Sequence, residues 1–362
     1  MLKDPQAREL PILIVGQGLA GTSLALGLHE RSVPFRIIDD HFRTASSTAA
    51  AGMCNPVTGR RLALSWKYQD ALPVAETFYH RWSDAFNHAS PVFHPRKILR
   101  IFKNADEQER FAERHLQPDF APFLHPAEHF TESGLPLIAP FGMCGIAAGF
   151  YLDTRTFLTR SRDLFRTLGA IEEAAFAPSQ LEPTAEPLCY AGAAYRAVVF
   201  CEGWQVVNNP WFKWLPMNPA KGEILSISPP VQGVDRILNK GHWILPTVDG
   251  DWRVGATYDH DRLDNEPTER GRSALLKAVS TILKTPPEAL SVTGHEAGVR
   301  PQTRDNRPLI GRHPELPALF ACNGFGSKGS LLAPYFTGQL IDHLINNAPI
   351  LPEVDLFRAW KF

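Results

Sequence analysis

Between Pro11 and Asp40 the apolar positions change their period twice. Ile12 to Val15 form an unbroken apolar run, the pattern of a strand covered on both faces. Leu24 and Leu28 then recur at helical spacing, and a second run, Phe35 to Ile38, ends at Asp39 and Asp40. Strand, helix, strand is the expected order. Further on, residues 67–89 place Leu72, Phe78, Trp82 and Phe86 on one apolar face and predict a helix, and residues 93–102 alternate into a strand. Residues 105–150 are aromatic, rich in Pro and without a clear period, and read as an irregular lobe over a cleft. In residues 149–170 either Asp153 or Thr154 can cap a helix that closes on Gly169. Ala197 to Phe200 is another buried strand, expected to return to the first sheet. Residues 217–293 alternate like an antiparallel sheet with one helix. The last stretch runs from a strand ending at Cys322 through glycines into a helix that begins near Gly329.

The resulting expectation is an α/β fold (α+β overall). A Rossmann-like nucleotide-binding domain is assembled from residues 1–85, 140–216 and 294–362. An antiparallel-sheet substrate domain, residues 86–139 and 217–293, is inserted in it. The chemistry of the first strand–helix joint supports this. Gly16, Gly18 and Gly21 stand in the spacing G-x-G-x-x-G. Gly16 allows the tight turn, Gly18 removes the Cβ that would block a pyrophosphate, and Gly21 lets helix and strand pack closely. The phosphates then sit at the positive end of the helix, beside Leu19 and Ala20. An acid about 20 residues on binds a ribose hydroxyl. Asp39 fits that place best and Asp40 is the alternative. Residues 47–61, STAAAGMCNPVTGRR, read as small-residue backbone lying close to something flat.

Composition narrows the partners. A net charge of −1 over 362 residues offers no broad attraction to nucleic acid or to an anionic membrane. Cys54, Cys144, Cys189, Cys201 and Cys322 form no C-x-x-C pair, so reduced interior thiols are expected. The apolar run after the polar first ten residues is only a strand long, so neither a signal peptide nor a membrane span is predicted, and the cytoplasm is the expected compartment. The 13 histidines show no paired ligand spacing, and no metal site is expected.

Several stretches, taken in order, carry a family resemblance: VGQGLAGTSLALGL, Asp39, STAAAGMCNP, GFYLDT, AVVFCEGW, PAKGEI, WRVGATY, GVRPQTRDNRPLIG and NGFGSKGSLLAPYFTGQLI. The chain resembles the D-amino-acid oxidase, glycine oxidase and sarcosine oxidase family of FAD-dependent amine oxidoreductases. The last two stretches look closer still to the FAD domain of the bifunctional wobble-uridine tRNA modification enzyme, which oxidatively removes a carboxymethyl group from an aminomethyl uridine. The methyltransferase half of that enzyme has no counterpart among these residues.

The resemblance implies an FAD held non-covalently. Sarcosine oxidases attach flavin through a Cys in this region, and the aligned position here is Gly298; Cys322 lies too deep in a strand to replace it. It also implies oxidation of a C–N bond, with hydride passing to the flavin and hydrolysis of the imine. Ser47, Thr48, Ala50, Gly52, Met53, Gly203 and Trp204 would line the cofactor. Gly324 and Ser330 would also line the cofactor, and Gly326, Ser327, Lys328 and Gly329 would face its pyrimidine edge, with Lys328 adding a charge to the helix dipole in a catalytic part. Arg300 would clamp a substrate carboxylate, a task suited to a planar fork of donors. A buried structural pair with Asp305 or Glu296 is the alternative. Arg304 and Arg307 are expected to face solvent or Asp305. Tyr258, His242, Trp243 and Tyr151 are candidates for the pocket wall, Tyr258 with a catalytic part. The substrate expected is a small amine or amino acid, preferably carboxylated. A tRNA partner, or a non-catalytic nucleotide-binding role, stands second.

Overall fold

A computed structural model describes residues 9–86, 90–129 and 135–360. Two sheets organise it. The first has six strands in the order Leu309–Arg312, Leu319–Asn323, Ala197–Phe200, Ile12–Val15, Phe35–Ile38 and Ile171–Glu172. All neighbours run parallel except the first pair. Its central strands are fully buried, as the unbroken apolar runs require. The helices Leu19–Glu30 and Gly329–Asn346 pack together over this sheet, and Gly27 makes their approach close: a Cβ there would stand 2.6 Å from Ile341 Cδ1.

The second sheet has nine strands and is mostly antiparallel. Its spine runs Val292–Arg300, Ala220–Ile227, Trp252–Gly255, His242–Pro246, Ile237–Lys240, Phe93–Ile101, Met143–Leu152 and Met53–Cys54. The helix Glu269–Ile282 lays Leu275, Val279 and Ile282 on one face of it.

Several elements depart from the sequence reading. Residues 105–150 are not irregular throughout. They contain the helix Ala105–Arg114, capped by Asn104 Oδ1 accepting from Glu107 N at 3.1 Å, and the strands Leu124–Pro126 and Met143–Leu152. That helix buries only Glu107, so it shows little apolar stripe, and the longer strand is diluted by Gly and Ala. The helix expected over 67–89 spans Tyr68–Ala85, and residues 87–89 lie outside the described residues. Its buried stripe is Tyr68, Ala71, Ala75, Tyr79 and Trp82; Leu72, Phe78 and Phe86 are half-buried at its edge. Met143–Leu152 and Val292–Arg300 belong to the larger sheet although the sequence division placed most of them with the nucleotide-binding part. A strand's period shows which faces are covered, not which sheet it joins.

Two other details match. Asp153, not Thr154, caps the helix Thr154–Thr167 by accepting from Thr156 N at 3.0 Å, and Gly169 follows with φ +60°. All five cysteines are free. Among the described residues no helix is long and apolar enough to cross a membrane.

Candidate functional site

A cleft of about 380 Å³ lies between the two sheets, along the C-terminal ends of four parallel strands. That is where an open α/β sheet binds its ligand. Gly16 turns the chain there with φ +95°, and a Cβ on it would stand 2.7 Å from Cys201 O. Gly21 is covered by the Gly16 carbonyl, which occupies the place of a Cβ, so the helix sits directly on the turn. Gly18, Leu19, Ala20 and Ser47 form the wall, with Leu19 N donating to Ser47 Oγ at 3.2 Å.

Asp39 is buried at the cleft edge. Its Oδ1 accepts from Gln17 N at 2.8 Å, and its Oδ2 accepts from Phe42 N at 2.9 Å and from Arg162. A carboxylate offers about four lone-pair sites, so one remains for a ribose hydroxyl. Arg162 is itself buried, donates to Gln17 Oε1 at 2.7 Å and lies 4.0 Å over the Phe42 ring. Asp40 is outside the wall, and burial together with Asp39 raises its pKa above the ordinary carboxyl value.

The middle of the cleft is backbone. Ala50, Gly52 and Met53 line one side and Gly203 the other. Arg253 fixes the first side by donating to Ala49 O at 2.8 Å and Ala50 O at 3.0 Å, while pairing with Glu296 at 2.8 Å. Gly298 also lines the cleft, and a Cβ there would stand 3.2 Å from Ser46 Cα. Gly326, Ser327, Lys328, Gly329 and Ser330 bring the start of the last helix to the same space. A helix start leaves its first amides free to bind, at the positive end of the dipole. Lys328 has no carboxylate partner among the described residues, and burial lowers its pKa while Cys54 opposes.

Arg300 closes the other end. It donates to Thr257 O at 3.3 Å and lies 4.9 Å from the Tyr258 ring centroid. Its guanidinium fills the place a Cβ on Gly222 would take. Among the described residues it pairs with no carboxylate: Asp305 pairs with Arg358 at 2.5 Å, and Glu296 with Arg253. Burial lowers its pKa and Tyr258 opposes. Arg304 is exposed, and Arg307 pairs with Glu353 at 2.5 Å.

Some expected residues lie off the wall. Gly21 and Asp40 stand behind it, and Trp204 and Gly324 do not reach it. Thr48 faces a second hollow with Phe42 and Glu296. Trp243 and Tyr258 do line the cleft. Tyr151 does not, because its ring stacks on His94 at 4.6 Å and its hydroxyl accepts from Val248 N at 3.1 Å. His242 is also off the wall.

Sequence reasoning missed Arg162, Gly222 and Glu202. Arg162 lies on the buried stripe of its helix with Phe157, Leu158, Ser161 and Phe165, and a cation on such a stripe is a usable signal. Gly222 interrupts a strand, which marks close approach of another group. Glu202 lines the cleft beside Gly203, and burial pushes its carboxyl up to about 7, against the hydrogen bond from Asn209 Nδ2 at 2.7 Å.

Comparison with known proteins agrees with this geometry. The profile of the FAD dependent oxidoreductase family, DAO, matches residues 11–344. The tRNA 5-methylaminomethyl-2-thiouridine biosynthesis bifunctional protein MnmC of Marinobacter nauticus is 26% identical over 364 residues, covering 92% of this chain and 55% of its own length. Glycine oxidase of Bacillus subtilis is 35% identical over 150 residues, 40% of each chain. The chain thus spans about half the length of the tRNA-modifying relatives it matches. The crystal structure of glycine oxidase from Geobacillus kaustophilus superposes with a TM-score of 0.79 at 20% identity, covering 94% of this chain and 95% of that one. Iminodiacetate oxidase from Chelativorans superposes at 0.76 with 19% identity, covering 94% and 97%. With its glycine turn, acid-ended second strand and helix-start wall around one cleft, the chain belongs to the FAD-dependent oxidoreductase family of D-amino-acid oxidase and has FAD as its cofactor.

Proposed function

We propose that the protein oxidises the C–N bond of a small carboxylated amine or amino acid, with its FAD held non-covalently. The observation that carries this is Arg300: a half-buried guanidinium on the cleft wall with no carboxylate partner among the described residues. A planar fork of donors so placed suits a bidentate carboxylate. Gly16, Gly18 and Asp39 would hold the dinucleotide half of the cofactor, and residues 326–330 its ring end. The flavin, when bound, supplies the two-electron acceptor for the bond being oxidised.

The residues of this chain do the orienting. Arg300 binds the acid group, and the acceptor Thr257 O, the Tyr258 ring and the bare Gly222 backbone hold its plane. Trp243, Ile224 and Ala256 give an apolar wall that excludes water around the carbon to be oxidised. Lys328 and the amides beside it place positive potential in the middle of the cleft, where negative charge on the reduced cofactor would be received. Anaerobic addition of N-substituted glycines and amino acids to the yellow protein tests the reading. Bleaching by acids but not by their amides is expected. No bleaching by any carboxylated amine would remove it.

A second reading keeps the same chemistry on a larger substrate. The match to the tRNA-modifying relative covers 92% of this chain, which favours a carboxymethylamino group presented by an RNA nucleoside. Bleaching by carboxymethylaminomethyl-uridine tRNA but not by small N-carboxymethyl amines would select it.

A further inference from the structure

Besides Arg300 and Lys328, a further cation touches the cleft wall from outside, at Gly241. Lys103 follows the strand Phe93–Ile101, and its ammonium occupies the place a Cβ on Gly241 would take. Gly241 turns the hairpin between Ile237–Lys240 and His242–Pro246 and lines the cleft. Among the described residues the Lys103 ammonium has no partner. The neighbouring acid, Glu107, is engaged elsewhere: it pairs with Arg100 at 2.9 Å and accepts the Lys103 backbone N–H at 3.3 Å. His242 beside it adds no competing charge, since burial and Lys103 lower that imidazole's pKa and favour its neutral form.

Strand register relates this cation to Arg300. Ile224, Gly255 and Trp243 pair across three adjacent strands. Gly222 and Gly241 each lie two residues further along in the same direction, one beneath Arg300 and the other beneath Lys103. Two strand spacings of about 4.8 Å separate them, so the cations stand roughly 10 Å apart. A charge-assisted hydrogen bond of about 2.8 Å at each end leaves roughly 4 Å between facing anionic oxygens. Two acid arms on one amine nitrogen span that gap.

We propose that Arg300 and Lys103 form a two-point anion site, so that the preferred substrate is a secondary amine carrying a second acid group. This rests on the carboxylated-amine reading above and adds Lys103 as the residue that selects among such amines. Arg300 sets where the oxidised carbon lies, and Lys103 rewards an anion at the far end of the other nitrogen substituent.

Unreactive thioether analogues test this on the FAD-loaded protein. Methylthioacetate carries one acid and thiodiacetate two, and each is titrated against the flavin absorbance. Thiodiacetate should bind more tightly to the natural protein. Lys103→Met should weaken thiodiacetate roughly two- to fivefold and leave methylthioacetate unchanged, as loss of one exposed ion pair implies. Lys103→Arg should keep the preference, and Lys103→Glu should reverse it. A thioether with one acetate and one methylphosphonate arm shows whether the outer group is preferred as carboxylate or phosphate. An unaltered thiodiacetate-to-methylthioacetate ratio in both Lys103→Met and Lys103→Glu would overturn the second subsite and leave the Arg300 clamp standing. If neither analogue perturbs the flavin of the natural protein, the carboxylated-amine reading fails, and the subsite with it.

Discussion

The two ends of the cleft are built from different material. At the six-stranded sheet the wall is backbone: Gly16, Gly18, Gly203 and the start of the last helix. Its side-chain ties, Asp39 to Arg162 and Gln17, serve to hold that backbone in place. At the nine-stranded sheet the wall is side chain: Arg300, Tyr258, Trp243 and Ile224 on a scaffold opened by glycines. Backbone recognition suits a ligand that never changes. Side-chain recognition suits a ligand that relatives exchange for one another. Damage at the first end should therefore register as lost cofactor and stability, and damage at the second as altered selectivity with the cofactor retained.

The largest effect tests the first end. Arg162→Met strands the Asp39 carboxylate in a buried site, and breaking a buried ion pair costs about 3–5 kcal/mol. A much lower melting temperature and loss of yellow colour are expected. A stable, fully FAD-loaded variant would contradict the supporting role given to this pair.

Arg300→Ala comes next and tests the second end. Loss of a charge-assisted pair costs about 1.5–3 kcal/mol, so kcat/KM for a carboxylated amine should fall roughly ten- to a hundredfold. FAD content and melting should stay as they are. Lower stability with an unchanged preference for acid over amide would instead make Arg300 a packing residue.

Glu202 offers a pH test of the backbone end. Its carboxyl titrates at about 7 when folded against an ordinary 4.5, so the folded state holds the extra proton between these values. Stability is then greatest near the lower pH and falls as pH rises towards 7, by on the order of 1–3 kcal/mol. Glu202→Gln should flatten that slope in melting curves taken from pH 5 to 8. A natural protein whose melting temperature rises over this range would refute the sign.

The smallest expected effect is the most selective. Gly222→Ala puts a methyl group where the Arg300 guanidinium lies. Overpacking costs about 1–3 kcal/mol, and part of it is relieved here by swinging the flexible guanidinium aside. A several-fold rise in KM for the acid substrate, with kcat little changed, is the outcome to look for in steady-state kinetics. An equal loss for acid and amide would show that the methyl disturbs the sheet and not the clamp.

The backbone end was the more legible of the two because its parts are local. The strand run Ile12 to Val15, the three glycines and Asp39 lie within one short segment, and each has a fixed physical task there. The side-chain end draws on Gly222, Gly241, Trp243, Tyr258 and Arg300, which come to one cleft only through pairing of strands far apart in the chain. Arg300 could be picked out because a family motif surrounds it, whereas Lys103 has no such mark.

What the amino-acid sequence determined by itself was therefore the nucleotide-binding turn, the order of most elements and the presence of a late glycine-led helix. Apolar period and turn chemistry act over a few residues, and those interactions survive being read in a line. Tertiary structure alone decided that Met143–Leu152 joins the larger sheet, that Arg162 meets Asp39, and that Tyr151 turns away from the cleft while Tyr258 faces it. Register and sheet choice depend on burying whole faces at once, so no single segment contains them.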